Sequence, residues 1–268
     1  MEGLPITSGQ NPKVKALLML QQKSQERRRT GLYVVEGLRE MARLNACDIQ
    51  SLFYCPAILG NEGMEMLDGM VPKGTECYEV SANVYDKMAY RSGTEGIICI
   101  VRQHPLLLES LSQRPLDGAP LYVVLESVEK PGNLGAVLRS ADAAGVDAVI
   151  ICDPLTDLYN PNLIRASLGG IFTVPCVACT SAEAIAFFKE RRIQILTAQL
   201  QDSEWYYDTD MKRGTAIVIG TEATGLTQAW RDAADAHIKI PMLGALDSLN
   251  ASVSAAILMF EAVRQRNV

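Results

Sequence analysis

Several signals that mark common protein classes are absent from this sequence of 268 residues. No run of 18 apolar residues occurs, and the first ten positions lack the basic and apolar segments of a secretion signal. We therefore expect a cytoplasmic protein with no membrane partner. The pattern Gly-x-Gly is also missing throughout, which excludes the fingerprint of Rossmann-type dinucleotide enzymes such as the usual dehydrogenases.

Residues that bind metals or form disulfides are sparse as well. The chain has two histidines, His104 and His237, and a single Cys-x-x-Cys pair, Cys176 and Cys179. A structural zinc site requires four ligands at suitable spacing, so we expect no metal. The seven cysteines are an odd number spread along the chain, which favours reduced thiols over a disulfide framework.

The net charge of −6 at pH 7 argues at first against a nucleic-acid partner, because phosphate binding requires clustered lysine and arginine. The charge is unevenly distributed, however. Residues 1–45 carry eight basic and four acidic side chains, which leaves the rest of the chain strongly acidic. Two interpretations stay open for this segment, a solvated helix face and a surface that contacts RNA. The candidates for RNA contact are Lys13, Lys15, Arg27 and Arg28.

The arrangement of apolar residues predicts two α/β domains. Residues 1–103 alternate short apolar strands with helical stretches, beginning with a helical pattern from Asn11 to Arg28. Residues 104–118 contain prolines and little alternation, which predicts a linker. In residues 119–268, strands alternate with helices, and this pattern predicts a mostly parallel sheet. The strands predicted there are 121–125, 148–152, 172–178, 193–198, 217–219 and 237–240.

Two strands near the carboxyl terminus end in loops that suit a ligand. The strand from Ile217 to Ile219 is followed by Gly220, and the strand that ends at Ile240 is followed by Pro241. Small or polar residues then lead to the last helix, which allows the backbone to bend closely around a bound molecule. We expect a small-molecule pocket at the carboxyl ends of these strands.

Three short motifs in this half of the chain resemble those of one enzyme family. They are Asn133-Leu134-Gly135-x-x-x-Arg139, then Gly220-x-Glu222-x-x-Gly225-Leu226, then Ile240-Pro241-Met242 followed by Ser248-Leu249-Asn250. In order and spacing they resemble the motifs of the SpoU (TrmH-type) RNA ribose 2′-O-methyltransferases. The resemblance implies a C-terminal SPOUT domain with a parallel sheet and a deep trefoil knot, preceded by a small α/β substrate-binding domain.

The resemblance also implies S-adenosyl-L-methionine as the methyl donor, held by backbone groups of the knotted loops without a metal. Carried over by motif, the cofactor-binding candidates are Leu200, Gly220, Ile240, Met242, Ser248 and Leu249. Without the motif, Ile240 and Leu249 would be interpreted as ordinary core residues. Ser248 could equally cap the last helix.

The catalytic candidates that the resemblance implies are Asn133, Arg139, Glu222 and Asn250. A guanidinium has a pKa above about 12 and is a poor general base. For Arg139 we therefore favour a role in orienting the ribose and stabilising the developing alkoxide. The alternatives are an ion pair of Arg139 with Asp142 or Asp153, and helix capping by Asn250. Arg165 lies in a segment that also resembles the family and is a further candidate for RNA contact.

The last helix, Asn250 to Arg266, has apolar residues on more than one side. One face consists of Val253, Ile257, Phe260 and Val263. Packing of that face alone would leave Leu258 and Met259 exposed. An apolar surface on both sides predicts a dimer, and the resemblance likewise implies a homodimer through the C-terminal domain.

We therefore predict an S-adenosylmethionine-dependent enzyme that methylates a ribose 2′-hydroxyl in structured RNA, with ribosomal RNA favoured over transfer RNA. Three alternatives stay open. They are a catalytically silent RNA-binding or ribosome-assembly protein of the same fold, a tRNA 2′-O-methyltransferase, and methylation of a base nitrogen. The joint presence of the four catalytic candidates disfavours the silent protein.

Overall fold

A computed structural model describes residues 3–90, 95–113, 118–221 and 224–267, and the chain divides into two compact units. The first comprises Met1–His104 and Asp157–Phe172, and the second comprises Pro105–Thr156 and Thr173–Val268. The domain boundaries drawn from the sequence, 1–103, 104–118 and 119–268, stay a prediction. Within the described residues, no helix combines the length and apolar character required to span a membrane.

The first unit contains a five-stranded sheet in the order β1-β4-β3-β5-β2. Its strands are β1 (Leu4–Ile6), β2 (Leu32–Glu36), β3 (Ile49–Tyr54), β4 (Glu76–Val80) and β5 (Ile97–Arg102). Its helices are α1 (Pro12–Gln22), α2 (Ser24–Thr30), α3 (Leu38–Met41), α4 (Pro56–Met70), α5 (Ala82–Met88) and, from the later segment, α7 (Pro161–Ala166) and α8 (Gly170–Thr173). Successive side chains of a strand point to opposite faces of the sheet, so β3 contributes to two hydrophobic clusters. Phe53 belongs to the cluster on one face, and Leu52 and Tyr54 belong to the cluster on the other.

Two helices occupy the stretch for which the sequence pattern predicted one helix from Asn11 to Arg28. The break lies at Lys23, whose backbone is extended. After the break, the Arg27 guanidinium donates to the carbonyl oxygens of Leu20 and Gln21 at the end of α1 and pairs with Asp157 at 2.7 Å. Arg27 is only 3% exposed. Partners within the protein therefore enclose its charge, which argues against the predicted contact of Arg27 with RNA.

Replacing Arg27 with alanine should lower the free energy of unfolding by about 3 kcal/mol, since the Asp157 carboxylate would lose its cation in a largely buried position. Arg28→Ala is the matched control, because the neighbouring Arg28 side chain is exposed. We expect that control to unfold like the wild type. Urea denaturation followed by fluorescence measures both variants, and equal losses would contradict the structural role of Arg27.

The second unit contains a parallel seven-stranded sheet in the order β10-β12-β9-β11-β6-β7-β8. Its strands are β6 (Leu121–Glu126), β7 (Ala148–Cys152), β8 (Cys176–Cys179), β9 (Gln194–Ala198), β10 (Glu204–Trp205), β11 (Thr215–Ile219) and β12 (Ala236–Lys239). Its helices are α6 (Pro131–Ala144), α9 (Ser181–Glu190), α10 (Gln228–Ala233) and α11 (Ala251–Arg266). Every residue of β6, β7 and β11 is buried, as expected for central parallel strands covered by helices on both faces.

The strand predicted from Phe172 to Ala178 is wrong in its first half. Phe172 and Thr173 belong to α8 instead, and strand pairing starts only at Cys176, opposite Val149. The residue before the strand is Pro175, which has no N–H to donate to a neighbouring strand. Its carbonyl oxygen still accepts a hydrogen bond from the Val149 amide, so Pro175 marks the boundary of the sheet.

The packed face of α11 also differs from the expectation. The apolar residues buried on this helix are Ala255, Leu258, Met259 and Ala262. Val253 and Phe260, on the face expected to pack, are 46% and 47% exposed. The helix packs against α6 and against strands β6 and β11. The exposed apolar stripe is therefore the one that begins at Val253.

Candidate active site

The carboxyl ends of three neighbouring strands meet at one edge of the second sheet. β12, β9 and β11 are adjacent and parallel, so their following loops begin side by side. These loops start with Gln199, Gly220 and Ile240. With residues near the start of α11 they enclose a cavity of about 350 Å³. The pocket expected at the carboxyl ends of these strands is thus present.

All six residues predicted to bind the cofactor line this cavity: Leu200, Gly220, Ile240, Met242, Ser248 and Leu249. They come from three loops that are separated by up to about fifty positions in the sequence. The volume lies within the range of ordinary small-molecule sites, roughly 300–1000 Å³. The assignment of a cofactor to these residues stays a prediction.

Gly220 lies where two backbone segments touch. A Cβ atom at this position would stand 2.3 Å from the carbonyl carbon of Gly225 and 2.6 Å from the amide nitrogen of Leu226. The loop folds back on itself, since the Gly225 amide donates to the Thr221 carbonyl oxygen at 3.1 Å. Any side chain at Gly220 would therefore collide with main chain, which cannot rotate away.

Two buried polar atoms on the wall of the cavity have no hydrogen-bond partner in the described structure. They are Oε1 of Gln199, an acceptor, and Nε of Arg231, a donor. Leaving such a group unpaired costs about 1–3 kcal/mol, and a ligand that carries both donors and acceptors would remove this cost. S-adenosylmethionine has hydroxyl and amino donors and a carboxylate acceptor. The residues of the cavity therefore fit the cofactor that the motifs imply.

Two of the catalytic candidates are in direct contact beside the cavity. Asn250 donates through Nδ2 to Oδ1 of Asn133 at 3.1 Å, which links the start of α11 to the first turn of α6. Oδ1 of Asn250 accepts a hydrogen bond from the amide of Ser252, so the residue also caps α11. Capping and a catalytic role are therefore compatible. The flanking residues Leu249 and Ala251 line the cavity, which brings this pair to its edge.

Arg139 lies six residues after Asn133 on α6. That spacing separates the two Cα positions by about 9 Å along the helix axis and places them on different faces. The Arg139 side chain is exposed, and within the described residues it forms no hydrogen bond or ion pair, including with Asp142 or Asp153. It is therefore available to an external anion. Glu222, the fourth catalytic candidate, lies outside the described residues.

The remaining RNA-contact candidates are exposed and belong to the first unit. They are Lys13, Lys15, Arg28 and Arg165. Lys13 is 3.0 Å from Glu76, and hydrogen bonds to Tyr78 and Glu76 raise the pKa of its ammonium group. Lys13 therefore stays charged at neutral pH, although its charge is shared with a protein carboxylate.

A buried carboxylate that the sequence did not single out binds the far end of the glycine loop, the segment 220–227 between β11 and α10. Glu126, the last residue of β6, is 2% exposed. Its oxygens accept hydrogen bonds from the Thr227 amide at 2.8 Å and the Thr227 hydroxyl at 2.6 Å. Thr227 is the residue that precedes α10. The available signal was a single acid at the end of an otherwise apolar strand, but its partner lies 101 positions away.

Glu126→Gln should lower the free energy of unfolding by about 2 kcal/mol. The neutral amide oxygen is a weaker hydrogen-bond acceptor than a carboxylate oxygen, and the amide NH₂ group would face a Thr227 donor instead of accepting from it. Glu129→Gln removes the same charge from an exposed position and serves as the control. Denaturation midpoints at pH 7 compare the two variants. If Glu126→Gln unfolds like Glu129→Gln, the hydrogen bonds to Thr227 do not stabilise the fold.

The cysteines are free thiols, and the Cys-x-x-Cys pair lies on β8. Burial raises the pKa of the Cys176 thiol to about 12. Cys179 instead lies beside Cys152 on the neighbouring strand β7, where the two thiols share a hydrogen bond that raises the pKa of Cys152. No group of three or more histidine, cysteine, aspartate or glutamate residues suited to a metal occurs within the described ranges.

Comparison with known families shows matches over both parts of the chain. The model described as the SpoU rRNA Methylase family matches residues 120–260, and the model described as the MRM3-like substrate binding domain matches residues 11–99. A 23S rRNA (guanosine-2′-O-)-methyltransferase, RlmB, of Bordetella pertussis is 34% identical over 197 residues. The match covers 72% of this chain and 80% of that relative.

Solved structures of RNA methyltransferases are similar to this chain over nearly its whole length. A crystal structure described as an RNA 2′-O ribose methyltransferase is 34% identical, with a TM-score of 0.83 and coverage of 99% of this chain and 100% of the other. An AdoMet-bound rRNA methyltransferase from Sinorhizobium meliloti is 28% identical, with a TM-score of 0.84 and coverage of 97% of each chain. The α/β fold predicted from the sequence is confirmed, and it matches that of the enzymes whose motifs the chain resembles.

Proposed function

The chain belongs to the SpoU rRNA methylase family, and we propose that it transfers a methyl group from S-adenosylmethionine to a ribose 2′-hydroxyl of structured RNA. Ribosomal RNA is the proposed substrate, in line with the activity named for the Bordetella pertussis relative. The observation that carries the proposal is the cavity at the three strand ends, which adjoins the Asn133–Asn250 pair. In this proposal the cavity holds the cofactor and the asparagine pair faces the ribose.

In the proposed site, backbone groups of the loops at Gly220, Ile240 and Leu249 hold the cofactor. When bound, S-adenosylmethionine supplies a methyl group that its sulfonium already makes electrophilic. The backbone at Gly220 packs directly against Gly225 and Leu226, which leaves no room for a side chain at this position. The protein's main task is then to bring the ribose oxygen into line with the methyl group.

Asn133, Asn250 and Arg139 are the residues proposed to act on the ribose. The Asn250–Asn133 hydrogen bond fixes both amides at the rim of the cavity, where they can orient a hydroxyl. Arg139 is exposed and has no partner within the described residues, so its guanidinium can donate to a phosphate and to the oxygen as its proton leaves. Donors fixed before the reaction stabilise such developing charge without reorganising during the step. Glu222 remains a candidate from its motif.

The amino-terminal region is proposed to collect the RNA. Its match to a substrate-binding domain and the exposed basic residues of the first unit support this role. We propose residues 1–103 as the RNA-binding domain, 104–118 as the linker and 119–268 as the methyltransferase domain. The proposed RNA contacts are Lys13, Lys15, Arg28 and Arg165. A cytoplasmic location stays a prediction, supported by the ribosomal substrate named for the relative.

We also propose a homodimer through the carboxyl-terminal domain. Support comes from the apolar stripe on α11, where Val253 and Phe260 are exposed, and from Leu243 and Leu246, which are 98% and 78% exposed. Phe260→Asp should weaken association at least about tenfold. Leu107→Asp, which changes an exposed leucine elsewhere in the same unit, is the control. Sedimentation equilibrium measures both, and a monomeric wild type would contradict the dimer.

Methyl transfer from labelled S-adenosylmethionine to unmodified ribosomal and transfer RNA, followed by alkaline hydrolysis, tests the proposed function. A methylated 2′-oxygen blocks cleavage of the next phosphodiester, so we expect label in alkali-resistant dinucleotides from ribosomal RNA. Label in mononucleotides would indicate base methylation, and label in transfer RNA alone would change the substrate. Binding of RNA without binding of the methyl donor would indicate the silent protein.

A further inference from the structure

The wall of the cavity contains a charged residue that belongs to none of the three motifs and does not lie at the end of a strand. Arg231 lies on α10, six positions after Gly225, and lines the cavity. Its Nη2 atom is 3.9 Å from the position that a Cβ atom on Gly225 would occupy. The guanidinium therefore lies against the glycine loop rather than extending into solvent.

The guanidinium of Arg231 is partly buried and incompletely paired. Its Nε atom is inaccessible to water and has no hydrogen-bond partner among the described residues. A buried N–H of a charged group is costly when it is left without an acceptor. The side chain lies on the wall of a ligand cavity, so a rotation of the guanidinium can present this donor to an acceptor that the ligand carries.

The other charged groups on the wall already have partners. Nζ of Lys239 lies 4.8 Å from the centre of the Trp205 ring, a cation–π contact. The carboxylate of Asp247 accepts a hydrogen bond from the Ser248 hydroxyl at 3.2 Å. Among the charged residues on the wall, Arg231 is thus the one with a buried N–H donor that has no acceptor within the described part of the chain.

The charges of the methyl donor limit which of its groups can meet Arg231. S-adenosylmethionine carries two cationic groups, the sulfonium and the ammonium, and one anionic group, the carboxylate. A guanidinium repels the first two and forms paired hydrogen bonds with a carboxylate, whose planar geometry matches its own. Since the proposal rests on the proposed function of the cavity, the ligand considered is this cofactor.

We propose that Arg231 binds the carboxylate of the methionine part of S-adenosylmethionine and thereby sets the direction in which the cofactor enters the cavity. The anionic end lies toward Arg231 at the end of the glycine loop. The cationic sulfonium is held away from it. Arg231 is then a binding residue that selects an intact amino-acid end and discriminates against adenosine compounds that lack it.

Isothermal titration of wild type and Arg231→Met with two ligands tests this proposal. The ligands are S-adenosylmethionine and its decarboxylated form, which differ only in the carboxylate. In the wild type, loss of the carboxylate should weaken binding about tenfold, as expected for one charge-assisted contact at a half-buried site. Arg231→Met should weaken binding of S-adenosylmethionine by a similar factor and leave binding of the decarboxylated ligand nearly unchanged.

Lys239→Met is the matched control, because it removes a different positive charge from the same cavity wall. We expect it to affect the two ligands equally. Equal weakening of both ligands by Arg231→Met, or selective loss in Lys239→Met instead, would overturn the proposal. If Arg231→Met does not fold, equal affinity of the wild type for the two ligands would overturn it as well. Failure of the wild type to bind S-adenosylmethionine would instead contradict the proposed function.

Discussion

Arg139→Ala should lower the kcat of methyl transfer about 100- to 1000-fold while changing the affinity for S-adenosylmethionine by less than about twofold. The expected size is that of removing one donor to a developing oxyanion. The affinity should persist because Arg139 is not part of the wall of the cofactor cavity. Initial rates with labelled cofactor and ribosomal RNA, together with calorimetric titration, measure the two effects separately.

Arg139→Lys distinguishes the effect of the positive charge at this position from the effect of the planar guanidinium. Lysine keeps the positive charge but has one nitrogen instead of a planar fork, so we expect a rate between those of the wild type and the alanine variant. Neither change should alter the thermal midpoint, because the exposed Arg139 side chain has no partner within the described residues. A stability loss with normal kcat would show that Arg139 has a structural role, and an unchanged rate would exclude its catalytic role.

Gly220→Ala should abolish measurable cofactor binding and lower the free energy of unfolding by about 3 kcal/mol. The added methyl group would stand 2.3 Å from one backbone atom of Gly225 and 2.5 Å from another. Real Cβ atoms do not approach other atoms so closely, and overpacking of this kind costs about 1–3 kcal/mol or more. The loop must open to relieve the collision, and it forms one wall of the cavity.

Gly244→Ala provides the control for this prediction. Gly244 lies in the loop that follows β12, its φ is not positive, and a Cβ atom there would meet nothing within 4 Å. We expect this variant to bind the cofactor and to unfold like the wild type. Calorimetric titration and thermal unfolding compare the pair. Near-normal cofactor binding by Gly220→Ala would mean that the glycine loop is not required for the site.

The strand pattern by itself predicted where a pocket lies, because parallel strands bring the loops that follow them to one edge of a sheet. The individual cofactor-site candidates, including Gly220 and Ile240, came from the motifs by resemblance. Arg231 and Gln199 were missed, because each has a buried polar atom without a partner among the described residues, and this is known only from the packing around it.

The burial of Arg27 could not be predicted for the same physical reason. A run of basic residues on a helix is ordinarily solvated, and nothing in the local pattern distinguishes Arg27 from Arg28. The distinction comes from Asp157, which lies 130 positions further along the chain and reaches Arg27 within the first unit. The strand predicted at Phe172 failed more locally, because Pro175 interrupts the apolar run that suggested it.

Periodicity and composition were sufficient for the α/β class and the parallel sheet of the second unit, since alternating strands and helices have few ways to bury their apolar faces. The motif order was sufficient for the family. Tertiary structure decided which polar groups meet: Glu126 with Thr227, Asn133 with Asn250, and Arg27 with Asp157. Hydrogen bonds and ion pairs act over about 3 Å, and only the folded chain brings residues more than a hundred positions apart to that distance.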